Sequence, residues 1–173
     1  MLIGTTGETK LNDFKTDLEY SLESGEDKLF DNFYYRIFPT LKSIEKVVDK
    51  ELQLKGIDKI LIFESGKKVL IDEKKRRKDY GDIAIEIYSN TEKKTPGWVY
   101  KPLPDYFVYA IMPTKKVYLL PALLLKLWVE DNFESLDFFP KVEAKNPGYI
   151  TTSYAVPPDI LLEGLKGIMN KNL

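Results

Sequence analysis

Two aspartates and a lysine near the middle of the chain have the types and spacing needed for metal-assisted chemistry. Asp58 opens an apolar segment, and Asp72 and Lys74 lie in the next one, after a turn at Gly66. Side chains two residues apart share one face of a strand, so Asp72 and Lys74 should point the same way and Glu73 the opposite way. A hairpin would place Asp58 across from Asp72. Carboxylates this close repel each other, and Lys74 together with a divalent metal would compensate them.

The composition removes most other catalytic chemistries. The chain contains no histidine and no cysteine. A Ser-His-Asp triad, a histidine- or thiolate-bound zinc, a thiolate nucleophile and a disulfide framework are therefore excluded. No phosphate-binding loop of the GxxxxGK[ST] or GxGxxG pattern occurs either. Carboxylate, lysine, tyrosine and hydroxyl groups are left, and Mg²⁺ or Mn²⁺ is the natural partner for them.

Positive charge is concentrated beside the acidic pair, although the whole chain has a net charge of only −1. The basic residues within 66–78 are Lys67, Lys68, Lys74, Lys75, Arg76, Arg77 and Lys78. A local basic face of this kind can meet the phosphates of a nucleic acid. The alternative is a solvated surface run.

The surrounding patterns predict a single α+β (mixed α/β) domain over residues 1–173, with a central mixed β-sheet flanked by helices. A short helix is expected at 17–24 and a longer one from about residue 28 to Ile37. Residues 41–55 favour a second helix that stops at Gly56, with a strand as the alternative.

Strands dominate the following part of the chain. The predicted elements are a three-strand meander at 57–65, 67–75 and 82–89, two strands at 106–114 and 115–121, a helix at 121–133, a strand at 148–157 and a final helix at 157–171. The core is expected at about 28–125, with 126–173 as a C-terminal extension.

Residues 56–76, GIDKILIFESGKKVLIDEKKR, resemble the active-site hairpin of the PD-(D/E)XK, or restriction endonuclease-like, nucleases. In that family an Asp begins the core hairpin and a (D/E)-x-K triplet follows on the next strand. Asp58 and the triplet Asp72–Lys74 match these positions, with thirteen residues between the two aspartates. The residue before the first Asp is usually Pro, and here it is Ile57. The looser resemblance covers residues 30–110 and is to uncharacterised phage and bacterial members.

The resemblance implies a Mg²⁺- or Mn²⁺-dependent endonuclease, a hydrolase of phosphodiester bonds in DNA. Asp58 and Asp72 would bind the metal, with the carbonyl oxygen of Glu73 as a further ligand. Lys74 would orient the attacking water and stabilise the charge that builds on the phosphate. The nucleic-acid backbone would be held by Lys75, Arg76, Arg77 and Lys78.

Many members of the family also carry a Glu on the helix before the hairpin. Glu45 fits that description, and Asp49 and Glu51 compete with it on the same segment. Glu86 would either orient Lys74 or a metal-bound water, or be a paired charge at a strand edge. Trp98 would either stack on a base or cap the core.

Two other functions stay open: a catalytically inactive nucleic-acid-binding or assembly protein on the same fold, and an RNA-directed nuclease. No apolar run approaches the roughly 20 residues of a membrane span, and the N-terminus lacks signal-peptide features, so a cytoplasmic protein without membrane contact is expected. A homodimer, or a partner that brings specificity, is compatible with the sequence, which leaves the oligomeric state open.

Overall fold

A computed structural model describes residues 26–171 of the 173-residue chain. Its helices are α1 (Glu26–Ile37), α2 (Lys50–Leu54), α3 (Ala122–Asp131) and α4 (Pro158–Lys171), with 3₁₀ turns at Trp98–Tyr100 and Phe133–Phe138. Its strands are β1 (Leu41–Lys46), β2 (Lys59–Phe63), β3 (Lys68–Arg76), β4 (Ile83–Asn90), β5 (Thr95–Pro96), β6 (Tyr106–Ile111), β7 (Lys116–Pro121), β8 (Lys141–Asn146) and β9 (Tyr149–Val156). The helix expected at 17–24 lies outside the described residues. Within residues 26–171, no helix has the length and apolarity to cross a membrane.

The strands form two sheets. The first sheet has the order β1-β2-β3-β6-β7 and is mixed, because β3 and β6 run parallel while the other neighbours run antiparallel. The second sheet has the order β5-β4-β9-β8 and is antiparallel. After β3 the chain builds β4 and β5 in the second sheet and then returns to place β6 beside β3. This crossover brings the Trp98 ring against Phe107 of β6, at 4.8 Å between centroids.

Apolar side chains cover both faces of the first sheet. On one face, Phe30 and Tyr34 of α1 join Leu61, Ile71 and Val108 in a buried cluster. The second sheet, α3 and α4 cover the other face, where the buried side chains include Ile83, Ile85, Ile87, Phe107, Leu120, Leu125 and Leu161. Burying an Ile, Leu or Phe side chain contributes about 1.5–3 kcal/mol, so these clusters fix the layers. The predicted α+β class with a mixed sheet is confirmed.

Strand β3 extends beyond its antiparallel partner. β2 pairs with β3 from Lys59 opposite Ile71 to Ile62 opposite Lys68. Residues 72–76 continue the strand and pair with β6 alone among the described strands. We call the opposite edge of β3 over residues 72–76, which lies beside the start of β2, the notch.

Two predictions about the elements are wrong. Residues 41–46 form strand β1 instead of a helix, because their backbone pairs with the outer edge of β2. This pairing outweighs the helical spacing of their apolar residues, and only residues 50–54 keep a helical turn, before Gly56 at φ +87°. Strand β4 does not continue the meander, since it pairs with β5 and β9 in the second sheet. The other predicted helices and strands within 26–171 are present, and β5 and β8 are additional strands.

Candidate active site

Asp58 occupies the notch at the entry to β2. Its backbone N–H donates to the Ile71 carbonyl at 2.8 Å, which extends the β2–β3 pairing by one residue. Its Oδ2 accepts the backbone N–H of Glu73 at 2.7 Å. The Asp58 carboxylate therefore takes the place of a strand partner at the open edge of β3. The hairpin brings Asp58 to the acidic segment of β3, as its spacing predicts.

Asp72 and Lys74 form an ion pair on the face of the first sheet that is turned toward the second sheet. The Lys74 Nζ donates to Asp72 Oδ1, and the Asp72 side chain is 1% exposed. Asp72 Oδ2 has no hydrogen-bond partner within residues 26–171. Burial raises the pKa of Asp72 to about 6, against the opposing effect of Lys74. The site therefore contains a buried carboxylate for which the cost of burial exceeds the stabilisation by its lysine neighbour.

Glu73 points to the opposite face, toward α1. Its Oε1 accepts a hydrogen bond from the Tyr34 hydroxyl at 2.8 Å and lies 3.1 Å from the Lys59 Nζ. Lys59 also contacts Asp31 of α1 at 2.7 Å. Burial raises the pKa of Glu73, and Lys59 lowers it. The predicted alternation of side chains along β3 is confirmed, and the Glu73 side chain belongs to a buried network under α1.

A pocket of about 300 Å³ opens beside the notch. Its charged lining includes Asp58, Glu73, Lys46, Lys59, Lys74 and Lys75. A concave site with several ammonium groups around carboxylates suits a phosphate-containing ligand that binds together with a cation.

The basic run predicted to hold a nucleic-acid backbone is divided between surfaces. Lys75 lines the pocket on the α1 side. Arg76 lies on the opposite face, where its Nη2 donates to Asp82 at 2.8 Å. Arg77 and Lys78 are exposed in the turn after β3. The run is therefore not one continuous basic face, and Lys75 is its member nearest to the site.

The structure does not place Glu45 on a helix. Glu45 is exposed on β1, opposite Ile60 of β2, because residues 41–46 pair as a strand. Asp49 caps α2, where its Oδ1 accepts the Glu51 backbone N–H at 2.8 Å. The carboxylates of Glu45, Asp49 and Glu51 do not line the pocket. The helical carboxylate that does line it is Asp27 of α1, which the spacing of the sequence did not indicate.

Glu86 of β4 faces the side of β3 that carries Lys74. Its Oε1 accepts the Trp98 backbone N–H at 3.2 Å. Burial raises the pKa of Glu86, while Lys74 and Lys101 lower it. The Trp98 ring packs in the core and lies 5.9 Å from the Lys74 Nζ. Trp98 therefore forms the apolar floor under Lys74, in agreement with a core role.

Lys59 and Lys101 are site residues that the sequence did not single out. Lys59 pairs with Glu73 from under α1, and the Lys101 Nζ lies 4.0 Å from Asp72 Oδ2. Lys59 directly follows Asp58, and this adjacency was the available signal. Lys101 arrives through the crossover between β3 and β6, for which the sequence carries no local signal.

Comparison of the chain with protein-family models, with curated proteins and with solved structures gives no match.

Proposed function

We propose that this chain is a metal-dependent endonuclease of the PD-(D/E)XK type, which hydrolyses phosphodiester bonds in DNA with Mg²⁺ or Mn²⁺. One observation carries the proposal. Asp72 has one oxygen paired with Lys74 and a second that is buried without a hydrogen-bond partner among the described residues. Burying a carboxylate oxygen without a hydrogen bond is costly, and Asp58 beside it adds to that cost. A divalent cation bound by oxygen ligands is what such a pair favours.

The groups at the notch fit such a cation. Asp58 and Asp72 provide anionic oxygens. The Glu73 N–H points to Asp58, and in a strand the C=O of a residue points to the same edge as its N–H, so the Glu73 carbonyl is available there. Residues 26–171 contain no cluster of three or more acidic side chains arranged for a metal. Water and substrate phosphate would complete the coordination, as Mg²⁺ commonly requires.

The roles of the chain's own residues follow from their contacts. A bound cation supplies Lewis-acid charge and a water of lowered pKa. Lys74 is held by Asp72 Oδ1 and lines the pocket, so its ammonium is oriented and accessible. There Lys74 orients the attacking water and stabilises the charge that develops on the phosphate oxygens. Lys46 and Lys75 line the same pocket and attract the neighbouring phosphates.

The same proposal assigns α1 and the first sheet to a restriction endonuclease-like core. Support comes from the position of the hairpin: β2 and β3 lie at the centre of a mixed sheet, and α1 covers one face. In this assignment the residues from 126 onward are an extension whose strand β9 pairs with β4.

Strand β3 carries a second acid-x-lysine triplet, from Glu73 to Lys75, on its opposite face. Glu73 and Lys75 line the pocket, whereas Asp72 is not part of its lining. The Glu73 carboxylate is already compensated by Tyr34 and Lys59. We therefore assign the metal to Asp72 and treat the second triplet as a matched control.

Cleavage of labelled DNA and RNA oligonucleotides in Mg²⁺, Mn²⁺ or EDTA tests the proposal. We expect metal-dependent cleavage of DNA that Asp72→Asn and Lys74→Met abolish, with much smaller losses in Glu73→Gln and Lys75→Met at saturating substrate. Cleavage of the RNA oligonucleotides but not of the DNA oligonucleotides would indicate an RNA-directed nuclease. Nucleic-acid binding without cleavage in any metal would indicate the inactive binding protein. If only Glu73→Gln and Lys75→Met abolished cleavage, the active site would lie on the face of the first sheet that α1 covers.

A further inference from the structure

Lys101 approaches Asp72 Oδ2, which has no hydrogen-bond partner among the described residues, from a part of the chain far from the hairpin. It follows the Trp98–Tyr100 turn, and its Nζ lies 4.0 Å from Asp72 Oδ2. Lys74 is paired with the other oxygen, Oδ1. Two ammonium groups therefore flank one buried carboxylate. Because 32% of the Lys101 side chain is exposed, its ammonium can move away from Asp72 without crossing the core.

The backbone at Gly56 makes room for this approach. Gly56 has φ +87°, and a Cβ at this position would lie 2.4 Å from Lys101 Cδ and 2.8 Å from Asp72 Oδ2. The lysine stem therefore passes directly over the Gly56 backbone. A larger residue there would displace Lys101 or Asp72, so the turn before β2 determines where the ammonium lies.

The distance between Lys101 and Asp72 defines the kind of contact they make. A separation of 4.0 Å is longer than a hydrogen bond, so Lys101 offsets the charge of Oδ2 without occupying its lone pairs. The other charged groups that act on this carboxylate are Lys74 and Asp58, and Glu86 interacts with both lysines. Asp72 Oδ2 is therefore attracted to Lys101 while its lone pairs remain without a hydrogen bond from the described residues.

We propose that Lys101 is the counterion of Asp72 Oδ2 in the metal-free protein and competes with a divalent cation for this oxygen. This inference rests on the proposed function, because it takes Asp72 as a metal ligand. The cation and the ammonium repel each other at short range in a partly buried site. Lys101 must therefore withdraw when the cation binds, and it sets the metal affinity of the site. Lys101 is in this sense a positioning residue and not a ligand.

Mn²⁺ binding, measured by electron paramagnetic resonance, tests this role directly. Lys101→Met keeps the stem and removes the charge, so it should bind Mn²⁺ about tenfold more tightly than the wild type. Lys101→Arg should bind like the wild type, and Asp72→Asn should lose binding. Lys126→Met, at an exposed lysine of α3, is the matched control and should change nothing. In EDTA, Lys101→Met should unfold at a lower temperature than the wild type, and Lys101→Arg should restore the wild-type value.

The outcomes separate this inference from the nuclease proposal. If Lys101→Met binds Mn²⁺ no more tightly than the wild type while Asp72→Asn abolishes binding, the role of Lys101 is wrong and the metal site stands. If the wild type binds no Mn²⁺, both are overturned. Should Lys101→Met fail to fold, Lys101→Gln removes the same charge with a polar side chain and must show the same tighter binding.

Discussion

Replacing Asp72 by Asn is expected to stabilise the metal-free fold while it abolishes cleavage. The Asp72 side chain is 1% exposed, and burial raises its pKa from 3.8 to about 6 although Lys74 lowers it. Each unit of pKa corresponds to about 1.4 kcal/mol, so the ionised carboxylate costs the fold about 3 kcal/mol at neutral pH and above. Asn has nearly the same shape without the charge. We expect a gain of about 1–3 kcal/mol, where the lower value allows for weaker hydrogen bonding of the amide than of the carboxyl group.

The pH dependence identifies the charge of Asp72 as the cause. The pKa of Asp72 is higher in the folded state than in the unfolded state, so the folded protein binds the proton more tightly. Ionisation of Asp72 therefore lowers the stability of the wild type as pH rises from 3.8 to about 6. The advantage of Asp72→Asn should be complete above that range and disappear below it. Urea unfolding in EDTA, followed by tryptophan fluorescence at about pH 8 and about pH 3, measures the difference.

A carboxylate that is satisfied within the protein provides the control. Asp82 accepts a hydrogen bond from Arg76 at 2.8 Å, so Asp82→Asn should lower the free energy of unfolding or leave it unchanged. Added Mn²⁺ should stabilise the wild type and not the Asp72 variant. An Asp72→Asn protein that is less stable than the wild type in EDTA at high pH would refute the reasoning, as would a gain that does not vary with pH.

Four further substitutions test separate parts of the account. Lys74→Met should slow single-turnover cleavage about 10²–10³-fold and leave Mn²⁺ binding unchanged. Lys75→Met should instead weaken DNA binding and reduce the salt dependence of that binding by about 1. If the two variants changed the cleavage rate and DNA binding equally, Lys74 would have no special role. Tyr34→Phe removes the hydroxyl that donates to Glu73 and should lower the free energy of unfolding by about 0.5–1.5 kcal/mol in urea titrations, and an unchanged value would show that this hydrogen bond contributes nothing. Gly56→Ala should destabilise the fold by about 1–3 kcal/mol and lower the midpoint of thermal unfolding, because φ is +87° and a Cβ at this position clashes with the side chain of Lys101. A variant as stable as the wild type would contradict this strain.

The parts of the site that the sequence predicts are those that local geometry determines. Alternation along a strand is a property of the backbone, so it placed Asp72 and Lys74 on one face and Glu73 on the other. A hairpin with a short turn fixes its own register, so Asp58 was expected beside β3. The apolar alternation of β4 predicted a strand correctly, but alternation does not reveal which neighbour the strand pairs with.

The parts that the sequence did not predict depend on long-range pairing. Residues 41–46 have apolar spacing compatible with a helix, and only the outer edge of β2 makes them a strand, which removes Glu45 from the helix expected to carry it. Lys101 reaches Asp72 because the chain crosses to the second sheet and returns beside β3 as β6. Lys59 meets Asp31 because α1 packs over the first sheet. No local pattern in the sequence encodes these contacts.

Single-turnover cleavage of a labelled DNA duplex at increasing Mn²⁺ concentrations tests the central claim most directly. The experiment compares the wild-type protein with a double variant that carries Asp58→Asn and Asp72→Asn. The two side chains are the proposed anionic ligands, and both substitutions preserve shape while they remove charge. We predict that wild-type cleavage rises with Mn²⁺ to a plateau and is absent in EDTA, and that the folded double variant does not cleave at any Mn²⁺ concentration. Cleavage by the double variant at the wild-type rate, or wild-type cleavage that persists in EDTA, would contradict a metal-dependent nuclease centred on the notch.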